Sequence, residues 1–238
     1  MKPADAGTGT RGFSVVALAL VGFFFCLTPV AHGLDDELLD IEWHVLRKLA
    51  PRPAPDDILI VGVDDASVRA IDAPPGLWHE PIGRALSAIA SARPRAVGID
   101  LALPERSYEN FHPGLDRALA EGMLAARRNG VLVASLSVDA RTRAARTIQS
   151  PLVAILGEQG LGLGLIARDA DGEARRFSIA APTQDGAFPT LAGRLCRALS
   201  RGCSDGLIDY ALGRPFKYVP LQSLVGENDP VFLDKLFR

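Results

Sequence analysis

Aromatic residues are scarce in this 238-residue chain, at 6% of the total with 2 tryptophans, which argues against a stacking platform for bases or sugars. Neither sign of charge prevails: 26 Lys and Arg face 28 Asp and Glu, for a formal net charge of -2. That balance creates no field that would draw nucleic acid, so no nucleic-acid partner is expected. Cysteine is rare too, with 3 residues, no C-x-x-C pair and no histidine spaced to complete a zinc site. The 4 histidines, His32, His44, His79 and His112, are scattered and read as surface residues. No G-x-S-x-G elbow, H-E-x-x-H helix or phosphate-binding P-loop is present, so the familiar catalytic signatures are missing and no cofactor is expected.

What is present begins with one long uncharged run, residues 12–34, apolar almost throughout from 13 to 27. At about 1.5 Å per residue it spans about 34 Å, against about 30 Å of bilayer hydrocarbon. Lys2 and Arg11 precede it and Asp35, Asp36 and Glu37 follow. The positive-inside rule then holds residues 1–11 in the cytoplasm and exports everything after 34. Two readings stand: an uncleaved membrane anchor, or a signal peptide cut near Ala31-His32-Gly33, with Pro29 just upstream. Cys26 is not followed by the small residue of a lipid-attachment site.

Residues 35–50 read as a stalk helix. Leu38, Leu39, Ile41, Val45, Leu46 and Leu49 form an apolar stripe at spacings of three and four. The stripe either packs on the domain that follows or meets a second copy as a short coiled coil, a homodimer contact. Pro51, Pro53 and Pro55 make a stiff linker into a domain spanning 51–238.

That domain is organised around three short apolar runs: residues 58–63, ending on Asp64-Asp65; 96–99, ending on Asp100; and 131–136. Continuous apolar runs of this length read as buried parallel strands. Helices expected over 81–92, with Ile82, Leu86, Ile89 and Ala90 inward, and 113–128, with Leu115, Leu119, Met123 and Leu124 inward, separate them. The fold class is α/β: an open, mainly parallel sheet flanked by helices. A hairpin is expected where residues 160–167 and 173–181 flank the turn Asp169-Ala170-Asp171-Gly172. Further helices are expected over 151–156 and 188–199, and a last strand over 206–210.

Gly162-Leu163-Gly164-Leu165-Ile166-Ala167 spells a dinucleotide fingerprint, but that motif works only as a strand-to-helix turn and this run is strand-like. Asp169-x-Asp171-Gly172 resembles part of a calcium loop without its further ligands. Asp64, Asp65, Asp100 and Glu105 leave the sheet at the carboxyl ends of its strands, where open α/β sheets bind ligands. They either hold a ligand or cation there, or merely cap helices and brace loops. Cys196 and Cys203 flank the Gly202 helix stop; they either approach within disulfide range or leave Cys196 as a small buried hydrophobe.

The ordered segments resemble the second type of CHASE domain, an exported sensory module of bacterial signalling receptors. The resemblance rests on Asp57-Ile58-Leu59-Ile60-Val61-Gly62-Val63-Asp64-Asp65-Ala66-Ser67 and Arg95-Ala96-Val97-Gly98-Ile99-Asp100. Later come Asp169-Ala170-Asp171-Gly172-Glu173-Ala174-Arg175-Arg176, Leu207-Ile208-Asp209-Tyr210 and the run from Phe216 to Leu224. It implies a non-catalytic, ligand-sensing domain on the periplasmic side of the bacterial inner membrane, anchored by an uncleaved N-terminal helix, with a small-molecule or periplasmic ligand. Trp78 and Arg176 join Asp64, Asp65, Asp100 and Glu105 as candidate contacts. The family turn carries two tryptophans and an arginine, whereas Leu77-Trp78-His79-Glu80-Pro81 keeps one tryptophan and lacks the arginine. The resemblance also implies a further strand after the apolar tail of Val231, Phe232, Leu236 and Phe237, then membrane helices and an output domain, so this chain is expected to be a piece of a longer receptor. The rival reading is a periplasmic metal-dependent hydrolase with Asp64, Asp65 and Asp100 as ligands.

Overall fold

A computed structural model describes residues 29–139, 141, 142 and 144–226. The expected membrane segment up to residue 28 and the apolar tail after 226 lie outside them. Among the described residues no helix is long and apolar enough to cross a membrane. They fall into two compact units: residues up to Ala54 with Asp209–Pro215, and Pro55–Ile208 with the residues from Phe216 on.

The smaller unit is built on α1 (Pro29–Leu49), which runs straight through the Gly33 position and ends before the Pro51 linker. Only part of its expected apolar stripe is covered: Leu39 and Leu46 are half-buried together with Trp43, whereas Leu38, Ile41, Val45 and Leu49 are 43–81% exposed, so the covered side is rotated towards Trp43. The tryptophan explains the rotation: its ring meets Tyr210 edge-on at 5.1 Å. Arg47 secures the same corner, donating to the Tyr210 carbonyl at 2.6 and 2.9 Å.

The larger unit is mixed α/β, with parallel sheets and antiparallel pairs. Its elements run β1 (Leu59–Gly62), α2 (Asp65–Ala70), α3 (His79–Ser91), β2 (Ala96–Ile99), α4 (Leu115–Asn129), β3 (Val131–Leu136), α5 (Ser150–Leu156) and β4 (Leu161–Leu163). They continue as β5 (Arg176–Phe177), β6 (Ala180–Thr183), β7 (Gly186–Pro189), α6 (Leu191–Ala198), β8 (Gly206–Leu207), β9 (Lys217–Pro220) and α7 (Gln222–Val225). The expected single sheet is divided in two. β2, β3 and β4 form one parallel sheet, and β1 pairs in parallel with β9, a strand absent from the sequence reading.

The hairpin is also displaced. β4 bonds in parallel to β3, and β5 pairs antiparallel with β8, so the strands expected to pair across Asp169–Gly172 do not. The hairpin lies further on, between β6 and β7, with Gly186 in its turn. The Asp169–Gly172 stretch is a tight turn all the same, the Gly172 amide donating to the Asp169 carbonyl at 2.9 Å.

Core packing follows the helical period. α4 buries Leu119, Gly122, Met123 and Ala126, spaced by three, one and three. Leu124, expected on this stripe, is 38% exposed because it sits 100° around from Met123. Leu119 and Met123 reach Leu132 and Ala134 of β3 and Leu152, Leu156 and Leu163 in one apolar cluster. A second cluster holds Trp78, Ala85, Ala88, Val219, Leu221 and Leu224.

Candidate functional site

The carboxyl ends of the parallel strands carry the expected acidic residues, but the fold occupies most of them locally. Asp64 caps α2: its Oδ1 accepts the Ser67 amide at 2.8 Å and the Ser67 hydroxyl at 2.9 Å. The Ser67 amide and hydroxyl, with a further bond from the Tyr218 hydroxyl, hold its carboxyl below the usual range. Ser67 is fully buried and also meets the Gln222 side chain, which ties α2 to α7. Asp65 lies exposed in the first turn of α2, suited to the helix dipole. Asp100 is exposed at the end of β2. Glu105 pairs with Arg146 at 3.2 Å, both largely exposed.

No group of three or more His, Cys, Asp or Glu side chains among the described residues could share a metal ion. Asp64, Asp65, Asp100 and Glu105 are not gathered into such a group. Trp78 is also accounted for by packing: it is 3% exposed, and its indole N–H donates to the Ala73 carbonyl at 2.7 Å.

Arg176 is half-exposed and spans both oxygens of Asp169 at 2.9 Å. The buried guanidinium is its neighbour's. Arg175 is 3% exposed and bonds to Asp169 at 3.2 Å and to Asp171 at 2.7 Å. What reads in the sequence as a turn is thus also a carboxylate clamp.

The fingerprint glycines serve packing. A side chain at Gly162 would meet the backbone of Thr190 and Leu191 at 2.7–2.8 Å, where α6 begins. Close approach of a helix start, rather than a pyrophosphate, requires glycine there.

A surface bay of about 640 Å³ opens where the segments following β2 and β3 meet, lined by Glu105, Glu109, Asp116, Arg117, Thr147 and Gln149 among others. Sequence reasoning picked out only Glu105 here. Glu109 accepts the backbone amides of Gly114 at 2.7 Å, Asp116 at 3.1 Å and Arg117 at 3.2 Å, capping the start of α4 in place of a residue at its N-terminus. Asp116 accepts the Tyr108 amide at 3.1 Å. No local motif announces these pairings, because each spans five to eight residues of irregular loop.

His79 departs most from expectation. It is 4% exposed, with Nδ1 3.1 Å from Asp116 Oδ1 and its ring edge-on to Tyr108 at 5.5 Å. Burial pushes its pKa below the ordinary value, against the pull of the Asp116 charge and hydrogen bond. An unfolded chain then takes up a proton at this site in a pH range where the folded chain does not. Stability is retained above about pH 6.5 and falls as the pH drops from there towards the depressed folded value. Urea titrations at pH 7.5 and 5.5 should show this loss, and His79→Gln should lessen it. An unchanged pH dependence in the variant would assign the loss to other groups.

Comparison with known proteins finds no match among curated proteins and none among solved structures. The family model described as CHASE2 domain matches residues 15–235, nearly the whole chain.

Proposed function

The chain belongs to the CHASE2 domain family, sensory domains of signalling receptors, and from that premise we propose a non-catalytic, ligand-sensing module held outside the cytoplasm by residues 12–34. The observation that carries a binding role is the bay beside Glu105. It lies beyond the carboxyl ends of the parallel neighbours β2 and β3, the place where open α/β sheets take ligands, and its volume suits a small molecule. Cys196 and Cys203 are bonded, their Cα atoms 6.1 Å apart. A disulfide of this kind persists in an oxidising compartment, which supports export.

Two measurements test the proposal. Alkaline phosphatase fused after residue 40 should be active, because the enzyme matures only outside the cytoplasm; an inactive fusion overturns the topology. Purified protein should melt higher with at least one member of a panel of amino acids, polyamines and sugars, by about 2.7 kcal/mol at a hundred times the dissociation constant. Glu105→Gln, an exposed change expected to leave stability within about 0.5 kcal/mol, should reduce that shift. A shift untouched by the substitution places the ligand elsewhere.

A further inference from the structure

A pocket of about 200 Å³ opens at the start of β3, at the end of that strand away from the bay beside Glu105. Three arginines line it: Arg127 from the last turn of α4, and Arg194 and Arg197 from α6. The apolar part of the lining includes Val131, Leu132 and Leu156.

We propose that this pocket is an anion site that takes a phosphate group, through charge-assisted hydrogen bonds from the three guanidinium groups. The site is separate from the bay and does not depend on it.

The charges around the pocket are out of balance. Arg84, Arg117, Arg146, Arg175 and Arg176 each have a carboxylate within 3.9 Å. Arg127, Arg194 and Arg197 form no such pair among the described residues. Burial, followed by the charge of Arg197, pushes the Arg194 guanidinium below its ordinary pKa, and Glu158 only partly offsets them. Gathering like charges in a half-buried place costs free energy, and an anion between them removes that cost.

Helix ends explain part of the arrangement. Arg127 and Arg197 lie in last turns, where backbone carbonyls favour a cation. Arg194 lies in the first half of α6, where no such attraction acts. It is nonetheless fixed: its Nε donates to the Leu161 carbonyl at 2.7 Å, and its guanidinium lies over the Phe188 ring, 5.6 Å from the centroid. No acceptor among the described residues takes either of its terminal nitrogens, so that side of the fork remains for an oxyanion. α6 itself is pinned, by the Thr190 hydroxyl accepting the Gly193 amide at 3.0 Å and by the Cys196–Cys203 bond. Donors held in this way lose little freedom on binding.

Size and charge choose the ligand. A volume of about 200 Å³ is below the roughly 300–1,000 Å³ of pockets for drug-sized molecules, so a single anionic group fits rather than a nucleotide. Guanidinium forks match phosphate oxygens two at a time. With three arginines and Glu158 the excess is two positive charges, which a phosphate dianion neutralises. Free phosphate and a phospholipid headgroup both supply this chemistry.

Thermal melting of the purified chain in phosphate, against sodium chloride of equal ionic strength, tests the proposal. A saturable rise in Tm with phosphate is expected. Arg127→Gln with Arg197→Gln, both at exposed positions, should raise the half-saturating concentration roughly tenfold or more. Should that variant fail to fold, Arg127→Lys with Arg197→Lys keeps the charges and loses the forks, and an unweakened phosphate response then overturns the proposal. A water-soluble short-chain phosphatidylglycerol is the second probe. Protection at lower concentrations than phosphate assigns a lipid headgroup, and protection by phosphate alone assigns the free ion. Glu105→Gln, which alters the bay, should leave the phosphate shift unchanged, so failure at one site is told from failure at the other. Equal melting in phosphate and chloride with no protection by the lipid overturns the proposal. So does a shift that the Gln variant retains in full, or one that Glu105→Gln abolishes.

Discussion

The double variant Asp169→Ala with Asp171→Ala is expected to lose about 1–3 kcal/mol of folding stability, because it takes two carboxylates from a guanidinium buried to 3% exposure. Arg175 donates to Asp171 through both terminal nitrogens, at 2.7 and 3.0 Å, and to Asp169 at 3.2 Å. Removing these carboxylates takes two partners from a charge held in a poorly solvated site. Removing the charge as well should restore stability, so adding Arg175→Met to the double variant should recover most of the loss. Urea midpoints for the three chains measure this, and a double variant within about 0.5 kcal/mol of the parent would show that the clamp is only a surface feature. Acid should reproduce the effect in the parent. The Arg175 bonds, followed by the Glu173 amide, bring the Asp171 carboxyl down to about 2. Its contribution is full above about pH 3.9 and drains away as the pH falls towards 2.

Gly122→Ala should cost about 1–3 kcal/mol, the range for overpacking, and should sit at the upper end of it. α3 and α4 cross at Gly83 and Gly122. A methyl on Gly122 would strike the Gly83 carbonyl, and a methyl on Gly83 would strike the Ala118 carbonyl. The atoms in the way are backbone, which no rotamer change can clear. To admit either methyl the helices must separate, which loosens Leu119 and Met123, both fully buried beside the crossing. On an exposed helical site the same Gly→Ala change would stabilise by about 0.5–1 kcal/mol, so the sign itself reports the close approach. Denaturant midpoints for Gly83→Ala and Gly122→Ala settle it, and a gain in either variant would show that the helices can part without penalty.

Much of the architecture was legible residue by residue. β3 was read at its true limits, because an unbroken apolar run between Gly130 and a polar loop leaves little choice of ends. α3 and α4 were each placed within two residues of the observed ends, since their apolar positions recur at the helical period and Pro81 and Gly130 mark their ends. The family could be recognised from the order of short motifs, and the matching family model spans residues 15–235. The turn at Asp169–Gly172 was legible for the same local reason: its hydrogen bond closes within four residues.

Pairing between distant segments was not legible. The strands flanking that turn find their partners in β3 and β8 rather than in each other, and β9 joins β1 across more than 150 residues. Turn chemistry says where a chain reverses, while strand pairing depends on which edges are left once the helices have packed. Burial of polar groups escaped for the same reason. Arg175 and Arg176 are adjacent and chemically alike, yet only one is buried, and nothing local ranks them. His79 reads as a surface histidine until α4 and the loop before it bring Asp116 and Tyr108 against it. The main helices, the three core strands, the class and the family could be read from the residues, because these rest on periodicity and on contacts between near neighbours. Only the folded chain shows the bay and the open cleft between β1 and β2, because each arises where segments far apart in the chain meet.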